Sequence, residues 1–178
     1  LAEQSKKVLL IDGDIRRPSQ FLIFGMDLKE ESELGEYLKG NGSFKDVIVS
    51  CTRKHMLFMG GKNCYSTSTE LVSSESFAKL MEMCRKVVDY VIIDTPPVGL
   101  IGDAQIFSRC ADAVMIVARQ NYMLAEDINE ALDDFRDNDS KVLGVVLNGA
   151  RTFSGLVDSP VGHYYGKYSK YGRYGNYG

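Results

Sequence analysis

VLLIDGDIRRP at residues 8–18 decides how this chain is read, and a second stretch, VIIDTPP at 91–97, repeats its logic. Each is a short aliphatic run that ends in an aspartate, the pattern of a buried strand with a carboxylate at its C-terminal edge. Open α/β sheets bind ligands at that edge. Two such carboxylates point to divalent-cation and phosphate chemistry, because Mg²⁺ takes hard oxygen ligands and keeps part of its water shell. The plain alternative is structural. Asp and Gly form turns, Pro18 ends the first motif, and an aspartate after a strand often caps the next segment, here through Thr95 or a backbone amide.

Outward from these runs, the stretches 7–11, HMLFMGG (55–61), YVIID (90–94), AVMIVA (113–118) and VLGVVLN (142–148) read as five strands. Helical spacing fills the intervals: Phe77, Leu80, Met81 and Cys84 share one face, as do Leu124, Ile128, Ala131, Leu132 and Phe135. Alternating strands and helices imply an α/β fold with a mostly parallel sheet, and near-continuous apolar strands imply helices on both of its faces. Residues 19–56, with Gly-rich breaks around LGEYLKGNGSF, predict short helices and loops over one end of the sheet. After Gly149 the periodicity stops, and no aliphatic residue follows Val161. Residues 1–150 are therefore expected to form the domain and 151–178 a flexible tail.

With 178 residues, 44% of them hydrophobic and 25% charged, the chain suits one soluble domain with a real core. A formal net charge of −3 gives no whole-chain signal for nucleic acid or an anionic membrane, so any such contact would have to come from a local patch. The tail differs: Arg151, Lys167, Lys170 and Arg173 stand against Asp158 alone. Cys51, Cys64, Cys84 and Cys110 lack metal-type spacing and read as reduced thiols. Together with the lack of a signal peptide or an apolar run near eighteen residues, this predicts a cytoplasmic protein. His55 and His163 lie too far apart to suggest a metal site. Ser73, Ser74 and Ser76 read as helix caps. The opening LAEQSKK reads as the last turn of a helix whose earlier turns are absent, so a fragment is expected.

In the first motif Asp12, Asp14, Arg16 and Arg17 gather on one loop. A carboxylate there can ligate Mg²⁺ or accept a hydroxyl proton, while Arg offsets charge on a transferred phosphoryl group. In the second, Pro96 and Pro97 keep the chain extended and present Asp94 at the rim. The tail carries Tyr164, Tyr165, Tyr168, Tyr171, Tyr174 and Tyr177 among Gly, Lys, Ser and Arg, which makes their hydroxyls accessible. The alternative for this tail is a sticky low-complexity segment, or a weak single-strand binder through Tyr stacking.

VLLIDGDIR resembles the Walker A′ signature of the bacterial tyrosine kinases, the autokinases that regulate capsular and exopolysaccharide export. VIIDTPP resembles their Walker B signature, and the tyrosine cluster is the third shared feature. The resemblance implies a P-loop NTPase-like fold that uses ATP and Mg²⁺. It implies that Asp12 and Asp94 help hold hydrated Mg²⁺, with Asp12 also a candidate base, and that Asp14 and Arg16 order the loop and phosphates. Asn148 matches a position that contacts adenine in related folds; it could equally just end its strand. The tail tyrosines would be phosphoacceptors. Implied partners are further copies in a ring, a membrane activator or an upstream membrane domain, and a tyrosine phosphatase, with no nucleic acid. The implied location is the inner face of the cell membrane. Partitioning and division-site ATPases share the first two motifs loosely and stand as the alternative, a nucleotide-gated binding module.

One departure is large: no GxxxxGK[ST] occurs, and the nearest lookalike, GGKNC at 60–64, lacks the spacing and the hydroxyl residue. Without those amides and that lysine, the aspartates would bind Mg·ATP poorly, so these 178 residues alone are expected to be inactive. The strand that normally carries the P-loop lies inside the sheet, so its loss is expected to expose apolar surface and free strand edges.

Overall fold

The computed structural model describes residues 1–51, 53–99 and 102–150. The expected tail, with all six tyrosines named above, lies outside them. Chain order runs β1 (Val8–Asp12), α1 (Gln20–Ile23), α2 (Leu34–Leu38), α3 (Phe44–Val47), β2 (Val49–Ser50), β3 (Met56–Met59), α4 (Ser68–Val72) and α5 (Glu75–Val87). It continues with β4 (Tyr90–Asp94), α6 (Asp103–Ser108), β5 (Val114–Arg119), α7 (Ala125–Asp137) and β6 (Val142–Asn148). All five expected strands are present, and the two-residue β2 is added as an antiparallel partner of β3.

The strands fall into two sheets rather than one: β2-β3-β1-β4, parallel except for β2, and the parallel pair β5-β6. β1 lies between β3 and β4, and its Leu9 and Ile11 are fully buried. They join Leu34, Val47, Met59, Leu80, Cys84 and Phe107 in the main core. A second core, Ala104, Ile116, Ala131 and Phe135, seals α7 onto β5-β6.

Local chemistry explains the two long helices. Ser74 caps α5 by accepting the Phe77 amide at 3.3 Å, with Glu75 in the first turn and Arg85 and Lys86 in the last, each charge opposing its end of the helix dipole. The stripe Phe77, Leu80, Met81 and Cys84 is buried as its spacing requires. Phe77 also meets Phe107 edge-to-face with centroids 5.3 Å apart, tying α5 to α6. In α7, Ala131 and Phe135 are buried and Leu132 packs against them, whereas Leu124 precedes the helix and is exposed.

Exposed apolar surface and free strand edges, expected where the P-loop strand is lacking, are present. Apolar residues on the last three strands stand open: Tyr90 and Ile92 on β4, Met115 and Val117 on β5, and Leu143, Val145, Val146 and Leu147 on β6. Among the described residues β4 is bonded only to β1, and β5 and β6 only to each other, so β4, β5 and β6 each present a strand edge without a strand partner, as β2 does at the far side of the first sheet. Strands this apolar belong to a buried interior. Their exposure marks the place where packing is incomplete.

Cys64 is an exposed thiol and Cys84 a buried one, where desolvation pushes it up to about 11. Brief alkylation near neutral pH is expected to label Cys64 and spare Cys84 until the chain is unfolded, as peptide mass spectrometry would show. Early labelling of Cys84 would contradict this packing.

Candidate active site

β1 and β4 are parallel neighbours in a register that sets Asp12 opposite Asp94. Adjacent strands lie about 4.8 Å apart, so the two terminal carboxylates share one short stretch of sheet edge. Their loops are joined as well, because the Gly13 amide donates to the Asp94 carbonyl at 2.7 Å. A Cβ at Gly13 would sit 2.7 Å from that same oxygen, which is why glycine separates Asp12 from Asp14.

Asp12 is 1% exposed. Its Oδ2 accepts the amides of Ser19 and Gln20, both at 2.9 Å, whereas Oδ1 is buried with no hydrogen-bond partner. Burial raises its pKa above the ordinary value and the nearby Asp94 charge adds to this, while the amides of Gln20 and Ser19 pull it down. Asp94 is exposed, and its Oδ2 accepts Gln20 Nε2 at 2.6 Å. An orphaned carboxylate oxygen beside a second carboxylate suits a hydrated divalent cation. Among the described residues no group of three or more acidic, His or Cys side chains could hold a metal by itself. A cation here would complete its shell with water and phosphate oxygens.

The other residues of the first motif serve the loop. Asp14 Oδ1 accepts the Arg17 amide at 3.0 Å, closing the turn. Arg16 reaches neither Asp12 nor Asp94: its terminal nitrogens donate to the Ser66 carbonyl at 3.1 Å and Thr69 Oγ1 at 3.0 Å. Its Nε lies 4.0 Å from Asp103 Oδ2, an ion pair rather than a hydrogen bond. Asp103 is wholly buried and also accepts Thr69 Oγ1 at 2.6 Å and Ser68 Oγ at 3.0 Å. Arg16 thus fastens the loop after β1 to the start of α4 and to α6.

Asn148 ends β6, in the other sheet. Its Oδ1 accepts the next amide, Gly149, at 2.8 Å, and its carbonyl accepts the Gln120 amide at 3.0 Å. This is how an asparagine ends a strand. The GGKN turn is not a phosphate cradle, because the amides of Lys62 and Asn63 donate to the buried Glu33 carboxylate at 2.8 and 3.3 Å. Gly61 leaves room for it, since a Cβ there would collide with the carboxylate.

Asp12, Asp94 and Gln20 thus meet at one sheet edge, with Asp14 and Arg16 ordering the loop after β1. Sequence reasoning overlooked Gln20, Asp103 and Glu33. Asp103 carried a faint signal as the first residue of an apolar helix after Gly102, the usual place for an acidic residue opposing the dipole.

The fold and its carboxylate-lined strand ends are those of a P-loop NTPase-like nucleotide-binding domain, and the chain belongs to the AAA domain family, whose model matches residues 1–142. The likeness to bacterial tyrosine kinases is carried by individual relatives. Tyrosine-protein kinase CpsD of Streptococcus agalactiae serotype III (strain NEM316) is 30% identical over 148 residues, covering 83% of this chain and 63% of that protein. The chain thus spans somewhat less than two thirds of that relative. Among solved structures, the chimerical protein CapA2B2 is 30% identical with a TM-score of 0.78, covering 85% of this chain and 66% of its own. The kinase domain of Escherichia coli tyrosine kinase ETK is 26% identical with a TM-score of 0.80, covering 86% and 59%. The septum site-determining protein MinD from Pyrococcus horikoshii shares the fold alone, at 19% identity and a TM-score of 0.69 over 82% and 58%.

Two outcomes test this architecture. Asp103→Ala would leave two hydroxyls without their acceptor and the Arg16 guanidinium without its ion-pair partner, and is expected to destabilise by about 2–4 kcal/mol in urea unfolding, with Asp103→Asn losing less. Asp12 has a folded-state pKa above 3.8, so its contribution to stability is complete below that value and fades as pH rises through the folded value. Asp12→Asn is therefore expected to be more stable than wild type near pH 8 without metal, and the gap should close toward pH 4. A constant gap would overturn that reading.

Proposed function

We propose that this chain is the nucleotide-binding part of a bacterial protein-tyrosine kinase that transfers the γ-phosphate of ATP to tyrosines of a neighbouring copy. The observation that carries this is the in-register pair Asp12 and Asp94, with the orphaned Asp12 Oδ1. The relatives named as tyrosine-protein kinases support the choice of chemistry.

In this reading Asp12 and Asp94 would hold Mg²⁺, which neutralises charge on the β- and γ-phosphates when bound. Asp12 is also the candidate base for the tyrosine hydroxyl, and its raised pKa suits that task. Asp14 and Arg16 hold the loop that presents Asp12, and Asn148 contacts the adenine once its side chain turns from Gly149. The phosphate cradle comes from a strand and loop outside these residues that pairs with the open edges of β4 and β5 and covers their exposed apolar side chains. These residues alone are then inactive.

The acceptors are Tyr164, Tyr165, Tyr168, Tyr171, Tyr174 and Tyr177. Each phosphate adds about −1.5 to −2 charge, so multiple modification would drive the basic tail from a neighbour's carboxylates and loosen a ring of copies. The ring, a membrane activator or membrane domain, an opposing tyrosine phosphatase and control of capsule or exopolysaccharide export all belong to this proposal. No helix among the described residues is long and apolar enough to cross a membrane, so placement at the cytoplasmic face of the membrane would come from elsewhere.

The test is phosphotyrosine mapping by mass spectrometry after Mg·ATP incubation, comparing this chain with a form extended upstream to include any encoded P-loop, and with Asp94→Ala in that form. Phosphate on the tail of the extended form alone, abolished by Asp94→Ala, is the expected result. ATP hydrolysis with every tail tyrosine unmodified would replace the kinase with a partitioning-type ATPase.

A further inference from the structure

Gln20 is bonded to both carboxylates of the site. Its backbone amide donates to Asp12 Oδ2 at 2.9 Å and its side-chain Nε2 to Asp94 Oδ2 at 2.6 Å. The first bond engages Oδ2 and leaves Asp12 Oδ1, a buried oxygen, without a hydrogen-bond partner. The second covers an oxygen of Asp94 that a cation between the two strands would use. An amide nitrogen carries donors and no available lone pair, so it cannot ligate a hard cation, whereas the amide oxygen can.

Resting on the reading of Asp12 and Asp94 as a cation site, we propose that Gln20 is a further residue of that site. Its side-chain amide stands in for the divalent cation at Asp94 and must withdraw, or turn its oxygen inward, before the cation binds. In the metal-free chain two neighbouring carboxylates repel, and a neutral donor holds one of them without adding charge. The backbone makes the exchange feasible. α1 has four residues, and its Leu22 and Ile23 are 69% and 70% exposed, so the segment can shift without opening the core. The amides of Ser19 and Gln20 on Asp12 keep its base anchored meanwhile.

A residue that must vacate a site lowers apparent affinity by the fraction of time it occupies it. Removing a hydrogen bond to a charged group is thus expected to tighten cation binding by roughly tenfold. The probe is Mn²⁺ alone, titrated into this chain with free Mn²⁺ read by electron paramagnetic resonance, for wild type, Gln20→Met and Asp94→Asn. Methionine keeps the length of the side chain and removes the donor. Gln20→Met should bind Mn²⁺ more tightly than wild type, and Asp94→Asn should lose the site. In wild type, Mg²⁺ should shift the Gln20 side-chain amide resonance in a nitrogen-15 spectrum, which reads the same exchange without a mutation. Equal or weaker Mn²⁺ binding by Gln20→Met, with Asp94→Asn still abolishing it, would overturn the role of Gln20 and leave the cation site standing. Binding indifferent to Asp94→Asn, or absent in wild type and Gln20→Met alike, would overturn both.

Discussion

Parallel pairing of β1 with β4 is the constraint on which the rest of this structure depends. Its register sets Asp12 against Asp94, and the Gly13 amide on the Asp94 carbonyl locks the two exit loops together. Two like charges would not stand at neighbouring strand ends without compensation. The compensation is local: backbone amides on Asp12, a side-chain amide on Asp94, and an Asp12 pKa displaced upward by burial. The fold thus spends packing on β1, buried between β3 and β4, to hold an arrangement that electrostatics opposes.

Around that pair the molecule is unevenly finished. β1 and β3 are enclosed, with Leu9, Ile11, Phe58 and Met59 fully buried, whereas β4 to β6 keep apolar side chains in the open. The transition falls at the strand carrying Asp94. The better-packed half of the sheet therefore holds the more buried carboxylate, and the less finished half begins where the exposed one stands.

The aspartate-ended runs, the helix spacing of 77–84 and the strand at 142–148 were legible because each is written in local periodicity, and the structure meets them closely. Pairing Asp12 with Asp94 needed only the idea that both strands lie in one sheet. The split of the strands into two sheets was not legible, since sheet membership depends on backbone partners and not on the strand's own residues. Arg16 was read as phosphate-directed because its neighbours are acidic, yet its partners come from Ser66, Thr69 and Asp103, far along the chain. Glu33 and Gln20 carried no signal at all. Their roles arise from tertiary proximity, Glu33 across 29 residues to Lys62 and Gln20 across 74 to Asp94.

The cluster of Arg16, Thr69 and Asp103 bears on how such a sequence can drift. Its members sit on three segments, 53 residues apart between Arg16 and Thr69 and 34 between Thr69 and Asp103. Thr69 bonds both of the others and Arg16 pairs with Asp103 by charge, so replacing Thr69 or Arg16 leaves the buried Asp103 carboxylate short of a partner. A substitution at one of the three therefore changes what the other two must bond, and their effects on stability should be coupled rather than additive. The trio is held by its own contacts and makes none with the strand-end aspartates.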